Sequence, residues 1–475
     1  MDIFMNALQY IVDMGASVML PIVIAILSMC VGVKPGKAVR SGLMIGVGFV
    51  GLGLIVNLMN DQLGPAAEQM SERFGLSLSV VDVGWPGMSP ITWQSQVALI
   101  AIPIAIVINL IMLGLKWTKT VNIDIWNVWH IAFTGAIAYA VTGSYWIGIG
   151  GLVVQAIITY KLGDLWGPIC ADYFEIDGLT SPHGTSAYLA PIAATVDVVI
   201  DKIPGLNKIN INSETLQEKV GVFGEPIVIG FLLGAIIGFL AGYPVNMALP
   251  LGVNMAAVMV LMPKIVKCIM EGLMPLSERA REILTKKFGN GEFYIGMDPA
   301  VLLGDSQVVT AGLLFIPITL LLAVIIPGNQ VLPFGDLATI SFFIAIAVGI
   351  HKGNLFRTLI SGTIIMAITI WIANQTVAWT TALAIQTGSV AAGSAVAALD
   401  QGGCPITYVY TQLFTRENLF AAALIAIGYA LCLAVSVRVS KKRRAELLAA
   451  EDDFDSFEYG DSSEENVSTL QTAAD

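Results

Sequence analysis

At 475 residues, 56% hydrophobic and only 12% charged, with a mean hydropathy of +0.77, the chain carries too few charges to cover a soluble globule and belongs in a bilayer. The formal net charge of -11 does not mark an acidic soluble protein, because much of it lies after Ser440, at Glu451, Asp452, Asp453, Asp455, Glu464 and Glu465. Cys30, Cys170, Cys268, Cys404 and Cys432 are scattered without Cys-x-x-Cys spacing, so they indicate no disulfide framework or zinc site and read as small hydrophobes packed in the membrane.

Along the chain, the first residues hold Asp2 and Asp13 and neither a basic start nor a small-residue cleavage site. They read as a short amphipathic lead-in helix, not a secretory signal. Apolar runs long enough to cross a membrane follow at 14–33, 39–59, 95–115, 127–142 and 146–160. A second series lies at 225–241, 245–266, 305–326, 336–350 and 356–373, and a last run at 417–437. The expected fold class is an all-α polytopic membrane protein of about eleven transmembrane helices. Pro103, Pro250 and Pro317 interrupt three of them, which neighbouring helices tolerate by re-satisfying the freed backbone groups. Glu225 before Pro226 suits a helix start, with an acidic group at the positive end of the dipole. Trp117, Trp126, Trp129, Trp146 and Trp166 read as interface anchors, and Lys441 to Arg444 as a stop-transfer, lipid-facing cluster.

The basic residues fall in alternate loops: Lys34, Lys37 and Arg40; Lys116 and Lys119; Lys161, Lys202, Lys208 and Lys219; the run from Lys264 to Lys287; Lys352 and Arg357; then Arg438 to Arg444. Arg73 and Arg416 fall on the other side. Because the cytoplasmic side collects Lys and Arg, the amino terminus is expected outside and the carboxyl terminus in the cytoplasm. Motifs also return in order. Pro21-Ile22-Val23-Ile24 reappears as Pro226-Ile227-Val228-Ile229, Gly87-Met88-Ser89-Pro90 as Gly296-Met297-Asp298-Pro299, and Ser95-Gln96-Val97 as Ser306-Gln307-Val308. Charge starts the first copy outside and the second inside, so two inverted repeats are expected. They occupy 1–220 and 221–412, followed by a last transmembrane helix at 413–440 and a cytoplasmic acidic tail at 441–475.

Each copy ends in a stretch rich in Gly, Ser, Thr and Ala, at 163–191 and 376–405, read as re-entrant hairpins entering from opposite faces. Irregular backbone at membrane depth survives only where protein or a water-filled cavity shields it, so these stretches point to a binding site. The first holds Thr180-Ser181-Pro182-His183-Gly184-Thr185-Ser186, where hydroxyls surround one imidazole. His183 is either a solute contact or a turn histidine satisfied by carbonyls. His130, after Trp126 and Trp129, is a second candidate or an interfacial anchor, and His351 beside Lys352 reads as a solvated loop residue. The pairs Ser95-Gln96 and Ser306-Gln307, preceded by Gln94 and Asp305, offer the amide and carboxylate partners a polyhydroxy solute needs. Equally, they could knit helices together, and Asp305 could cap its helix. Gln386, Thr387 and Ser389 at the second hairpin's tip are candidates by symmetry with His183.

No Gly-x-x-x-x-Gly-Lys-Ser/Thr loop, Gly-x-Ser-x-Gly elbow or His-Glu-x-x-His pair occurs, so no ATP engine or intramembrane hydrolase is encoded. No cofactor, metal or nucleic-acid partner is expected. Transport remains, by alternating access between halves. An ion-coupled secondary transporter of a polyol or sugar suits the repeats equally well, and a membrane sensor without flux is a third reading.

Six stretches resemble the membrane IIC component of the galactitol phosphotransferase system, in the ascorbate–galactitol group. They are Val81-Asp82-Val83-Gly84-Trp85-Pro86-Gly87, Asn122-Ile123-Asp124-Ile125-Trp126-Asn127 and Pro182-His183-Gly184-Thr185-Ser186-Ala187-Tyr188 in the first copy. In the second they are Pro327-Gly328-Asn329-Gln330-Val331-Leu332-Pro333-Phe334-Gly335-Asp336, His351-Lys352-Gly353-Asn354-Leu355-Phe356-Arg357 and Asp400-Gln401-Gly402-Gly403. The likeness runs to about Val437. It implies a homodimeric inner-membrane carrier with a scaffold and a moving transport core, working with separate cytoplasmic IIA and IIB proteins. The IIB partner holds the phosphoryl group on a cysteine and passes it to a sugar alcohol, with galactitol expected. For residues, the resemblance implies a solute held by His183, Gln96 and Asp305. With Thr185, Gln94, His130, Ser306, Gln307, Gln386 and Ser389, these form the expected substrate-binding set. His183 is also the expected base for the attacked hydroxyl, because an imidazole can titrate near neutrality.

Overall fold

Apolar runs closed by side-chain caps make most of the chain helical. A computed structural model describes residues 16–75, 78–212, 222, 225–288, 293–333, 335–391 and 393–471. The expected lead-in helix and Lys219 lie outside them. Helices α1 (Ala16–Cys30) and α2 (Pro35–Arg73) come first, then strand β1 (Val80–Asp82) and helices α3 (Gly84–Trp93), α4 (Gln96–Leu99) and α5 (Ala101–Gly114). Next are β2 (Thr120–Asn122), α6 (Ile125–Thr142), α7 (Tyr145–Phe174), β3 (Leu179–Thr180), α8 (Gly184–Ala187) and α9 (Ala190–Asp201). The second half holds α10 (Pro226–Leu240), α11 (Val245–Phe288), β4 (Tyr294–Gly296), a 3-10 turn (Pro299–Gly304), α12 (Ser306–Ile325), β5 (Val331–Leu332), α13 (Ile340–Ile350) and α14 (Leu355–Gln386). Strand β6 (Val396–Ala397), α15 (Pro405–Thr415) and α16 (Leu419–Gln471) complete the chain.

Among the described residues, five helices are long and apolar enough to cross a membrane: 96–114, 145–174, 306–325, 355–386 and 419–449. Shorter apolar helices lie at 227–240, 245–261 and 340–350. The helix ends follow local chemistry. Asp124 caps α6 by accepting from the Trp126 N–H, and Asn354 caps α14 by accepting from Phe356 and Arg357. Gly143 ends α6 at φ 67°, a left-handed turn that glycine adopts without strain.

The hydropathy pattern and the helices differ in extent. Helix α2 runs on to Arg73, beyond the apolar run ending at 59, because Ala66, Glu68, Gln69, Met70 and Glu72 are good helix formers though polar on average. The two stretches read as broken are helical at first, to Phe174 in α7 and to Gln386 in α14. In the first stretch Gly163 and Gly167 serve packing, whereas Gly388 and Gly393 in the second take left-handed φ with nothing packed on them. A Cβ on Gly163 would lie 2.5 Å from Thr120 Oγ1, and one on Gly167 2.5 Å from the Tyr294 ring. The acidic tail continues helix α16 without a break at 440.

Helices α1, α2, α10 and α11 form one packed group, in which α11 lies against both α2 and α10. Gly230, Gly234 and Gly238 set the α10–α11 approach: a Cβ on Gly234 would meet the Gly252 Cα at 2.9 Å. Small residues spaced by four let apolar helices close on each other in this way. A second group joins α6 to α7, α12 to α13 and α14, and α9 to α14 and α16.

Among the described residues, six short strands, absent from the all-helical expectation, join the halves. Strands of two or three residues are too brief to show an alternating pattern. They form two parallel three-stranded sheets in the orders β5-β1-β6 and β2-β4-β3. In the first, Val81 faces Leu332 and Val396; in the second, Ile295 faces Val121 and Leu179. Each central strand comes from one half of the chain and both its neighbours from the other.

Buried carboxylates hold the strand ends. Asp82 accepts from the N–H groups of Gly84, Leu399 and Asp336, each at 3.0 Å. Asp336 in turn accepts from Trp85 and Asp400, both at 2.8 Å. Asp124 accepts from Asp298 at 3.0 Å, and Asp298 from Ala300 at 2.8 Å.

Three side chains depart from their expected surroundings. His351 is buried, not solvated, because its turn is covered by α9: Nδ1 lies 3.0 Å from Asp197 Oδ1 and Nε2 2.8 Å from Ser361 Oγ. Burial pushes the Asp197 carboxyl up, but His351 and Arg357 outweigh it and hold it below the usual carboxylate range. Trp129 and Trp166 are core residues instead of interface anchors, Trp166 donating to the Ala187 carbonyl at 3.1 Å, whereas Trp117 and Trp146 are exposed. Beside this region Asp172 pairs with Lys352 at 3.3 Å and with Arg443, tying α7 to α16.

Replacing Asp82 with Ala leaves three N–H groups from three chain segments without their acceptor. At about 1–3 kcal/mol for each buried donor stranded, the variant is expected to unfold well below the parent in detergent thermal melts. A melt equal to the parent's would remove Asp82 from its structural role.

Candidate functional site

The sheets place their third strands so that equivalent residues face each other. Leu179 in β3 and Val396 in β6 each sit beside a central strand, and four residues further on come His183 and Asp400. Both are buried, together with His130 from the first turns of α6. Nitrogen and oxygen atoms of these three side chains lie within 4.8 Å of one another. The His130 and His183 rings meet edge to face, with centroids 4.0 Å apart.

Their partners fix the protons. The Gly184 N–H donates to His130 Nδ1 at 3.0 Å, so a neutral His130 carries its hydrogen on Nε2, which faces Asp400 Oδ2 at 3.3 Å. Asp400 Oδ1 accepts from Thr185 Oγ1 at 2.6 Å. His183 has the opposite arrangement. Its Nδ1 lies 3.1 Å from Asn127 Oδ1 and 3.5 Å from Asp298 Oδ2, both acceptors, so Nδ1 carries the hydrogen and Nε2 keeps a lone pair.

The orientation of Asn127 is set by a chain of amides. Asn127 Nδ2 donates to Asn122 Oδ1 at 2.7 Å, and Asn122 Nδ2 to the Asp124 carbonyl at 3.2 Å. The Asn122 N–H donates to Asn109 Oδ1 at 3.0 Å, and Asn109 Nδ2 to the Thr120 carbonyl at 2.8 Å. Any flip along this chain would set two donors or two acceptors face to face.

Two histidines and a carboxylate at this separation match a metal-ligand set, but the hydrogen bonding works against it. His130 would have to release the Gly184 N–H or lose its only ring hydrogen before Nε2 could bind a cation. The arrangement suits hydroxyl groups, which donate to a lone pair and accept from an N–H.

Of the residues singled out from the sequence, the structure brings together His183, His130 and Thr185. Asp305 caps α12, accepting from Gln307 and Val308, and its other oxygen accepts from Tyr173 Oη at 3.1 Å. Ser306 is half-buried and Gln307 buried beside it. Gln94 and Gln96 are exposed on either side of the buried Ser95, and Gln386, the last residue of α14, and Ser389 just after it are exposed. Asp400, Gln401, Asp298 and Asn127 stand in the quoted motifs but were not in the expected substrate-binding set. Strand register is the signal that finds Asp400, because it is offset from β6 as His183 is from β3.

Asn127→Ala is expected to release His183 Nδ1 and strand Asn122 Oδ1. Solute affinity should fall roughly tenfold, and stability by about 1–3 kcal/mol, in titration and melting of the purified variant. Unaltered affinity would separate Asn127 from His183.

The chain matches the family model EIIC-GAT, described as PTS system sugar-specific permease component, over residues 10–395. It is 55% identical over 426 residues to the PTS system galactitol-specific EIIC component of Escherichia coli strain K12, covering 90% of this chain and 94% of that protein. It is also 38% identical over 396 residues to a putative permease IIC component of the same strain, covering 83% of this chain and 91% of that protein. The chain belongs to the EIIC-GAT family of PTS sugar-specific permease components.

Proposed function

We propose that this protein is the membrane IIC carrier for galactitol, binding the hexitol between its two halves and presenting it for phosphorylation by a separate IIB protein. The observation that carries the reading is the buried group of His183, His130 and Asp400, where a lone pair, an N–H and a carboxylate converge. Identity of 55% to a galactitol-specific component supports the choice of solute.

The working architecture is two inverted repeats, at 1–220 and 221–412, crossing the bacterial inner membrane about eleven times with the amino terminus outside. The strand exchange supports it, since β1 takes its neighbours from the second half and β4 from the first, as a pseudo-twofold requires. The loops ending in His183 and Asp400 are then the re-entrant tips. Helices α1, α2, α10 and α11, which pack mainly on one another, are the scaffold and homodimer side, and the remaining helices the moving core of an elevator. The last helix, 413–440, is followed by the acidic tail at 441–475 on the cytoplasmic face, with Lys441 and Lys442 exposed toward lipid headgroups, whereas Arg443, expected there too, is buried against Asp172 and the Ile350 carbonyl.

In the phosphoryl step, a hydroxyl oxygen of the bound alditol attacks phosphorus on the IIB cysteine. The O–P bond forms, the S–P bond breaks, and the hydroxyl proton passes to His183 Nε2. The IIA partner reloads IIB. The product carries about -1.5 to -2 charges and cannot return through an uncharged path, so chemistry makes uptake one-way.

Proteoliposomes holding the purified carrier and supplied with phospho-IIB should accumulate labelled galactitol phosphate. His183→Ala should abolish that phosphorylation, and unchanged turnover would remove His183 from the mechanism. Uptake driven by a proton or sodium gradient without the relay proteins would instead make the chain a secondary transporter.

A further inference from the structure

We propose that Gln401 is the specificity-determining contact of this site, its side-chain amide holding two adjacent hydroxyls of an acyclic polyol. The inference rests on the carrier reading above and deepens it.

Gln401 is 2% exposed, and neither its Nε2 nor its Oε1 has a hydrogen-bond partner in the protein. A buried amide with both ends unmet is costly, and sites that bind polar solutes are where such groups are kept. The backbone makes the same point. Among the described residues, five non-glycine residues take left-handed φ: Lys116, Glu175, Lys352, Arg416 and Gln401, the last at 56°. The first four are exposed, and Gln401 is buried. A turn that asks for glycine, with Gly402 and Gly403 following, carries a long amide instead.

Its position joins it to the histidines. A Cβ built on Gly184 would lie 2.2 Å from Gln401 Nε2 and 2.8 Å from His130 Nδ1, so the amide lies against the start of α8 in space that only glycine leaves open. Asp400, which faces His130, is its neighbour in the chain. A primary amide presents one donor face and one acceptor face side by side. Two vicinal hydroxyls complement it, one accepting from Nε2 and the next donating to Oε1. The lone pair on Nε2 of His183, the residue before Gly184, takes a third hydroxyl of the same run. An alditol offers an unbroken series of such diols, whereas ring closure removes one hydroxyl and fixes the rest.

The test uses the full-length carrier and Gln401→Met, which keeps side-chain length and removes the amide. Galactitol and its single deoxy derivatives are titrated calorimetrically, and the empty proteins are melted. Expected are a roughly 10- to 100-fold loss of galactitol affinity in Gln401→Met and a melting temperature unchanged or raised, since an unpaired amide has gone. Deoxy derivatives lacking a contacted hydroxyl should bind the parent weakly, yet lose little more in the variant. Parent-like galactitol affinity in Gln401→Met overturns this assignment alone, as does an affinity loss matched by a lower melting temperature, the mark of a structural amide. A parent protein that binds no alditol overturns the carrier reading and this inference together.

Discussion

Backbone N–H groups at the ends of five of the six short strands lie inside an apolar body where water cannot serve them, and aspartate carboxylates take that part. Asp82 accepts from Asp336, Asp336 from Asp400, and Asp124 from Asp298. Each of these bonds runs from a residue of one half of the chain to another segment, and two of the three cross between halves. A buried carboxylate that accepts from several N–H groups gives each donor its partner without a basic residue, and it ties together the segments that carry them. The polar interior is therefore a set of dependent bonds. Once Asp82 positions Asp336, Asp336 positions the Asp400 backbone, and the Asp400 side chain is delivered to His130.

The same logic gives the two histidines different characters. His130 is bracketed by a backbone donor and a carboxylate, so its ring hydrogen points at Asp400. His183 is bracketed by acceptors on one side only, at the end of an amide chain that begins with Asn109. One imidazole is committed to structure and presents an N–H; the other keeps a lone pair. A polyhydroxy solute needs both kinds of partner, and a membrane carrier has few other places to keep them.

Much of the fold was legible from hydropathy, because a lipid-facing helix must be apolar along its length: the helices α5, α7, α12, α14 and α16 all fall on expected runs. Helix extents were less so, since hydropathy stops at the first polar turn of α2 while helix propensity does not. The strands were invisible. Two residues such as Val396 and Ala397 have no periodicity, and their pairing with Val81 lies more than three hundred positions away in sequence. That gap also hid the candidate site. His183 stood out through the hydroxyls around it, but the matching position in the second half was sought at the polar end of an apolar helix, at Gln386. Strand register instead leads to Asp400, within a glycine-rich turn that carries no hydropathy signal. The burial of His351 was equally out of reach, because its partner Asp197 comes from a helix that folds back over it.

The central claim is that the two strand-exchanged sheets bring His183 and Asp400 together to enclose the solute. A cryo-electron microscopy map of the carrier with galactitol bound tests it most directly. Hexitol density with hydroxyls within hydrogen-bonding distance of His183 Nε2 and of the Asp400 turn is the expected result. Density bounded instead by Gln96, Asp305 or Gln386, with the His183 and Asp400 turns apart, would contradict it.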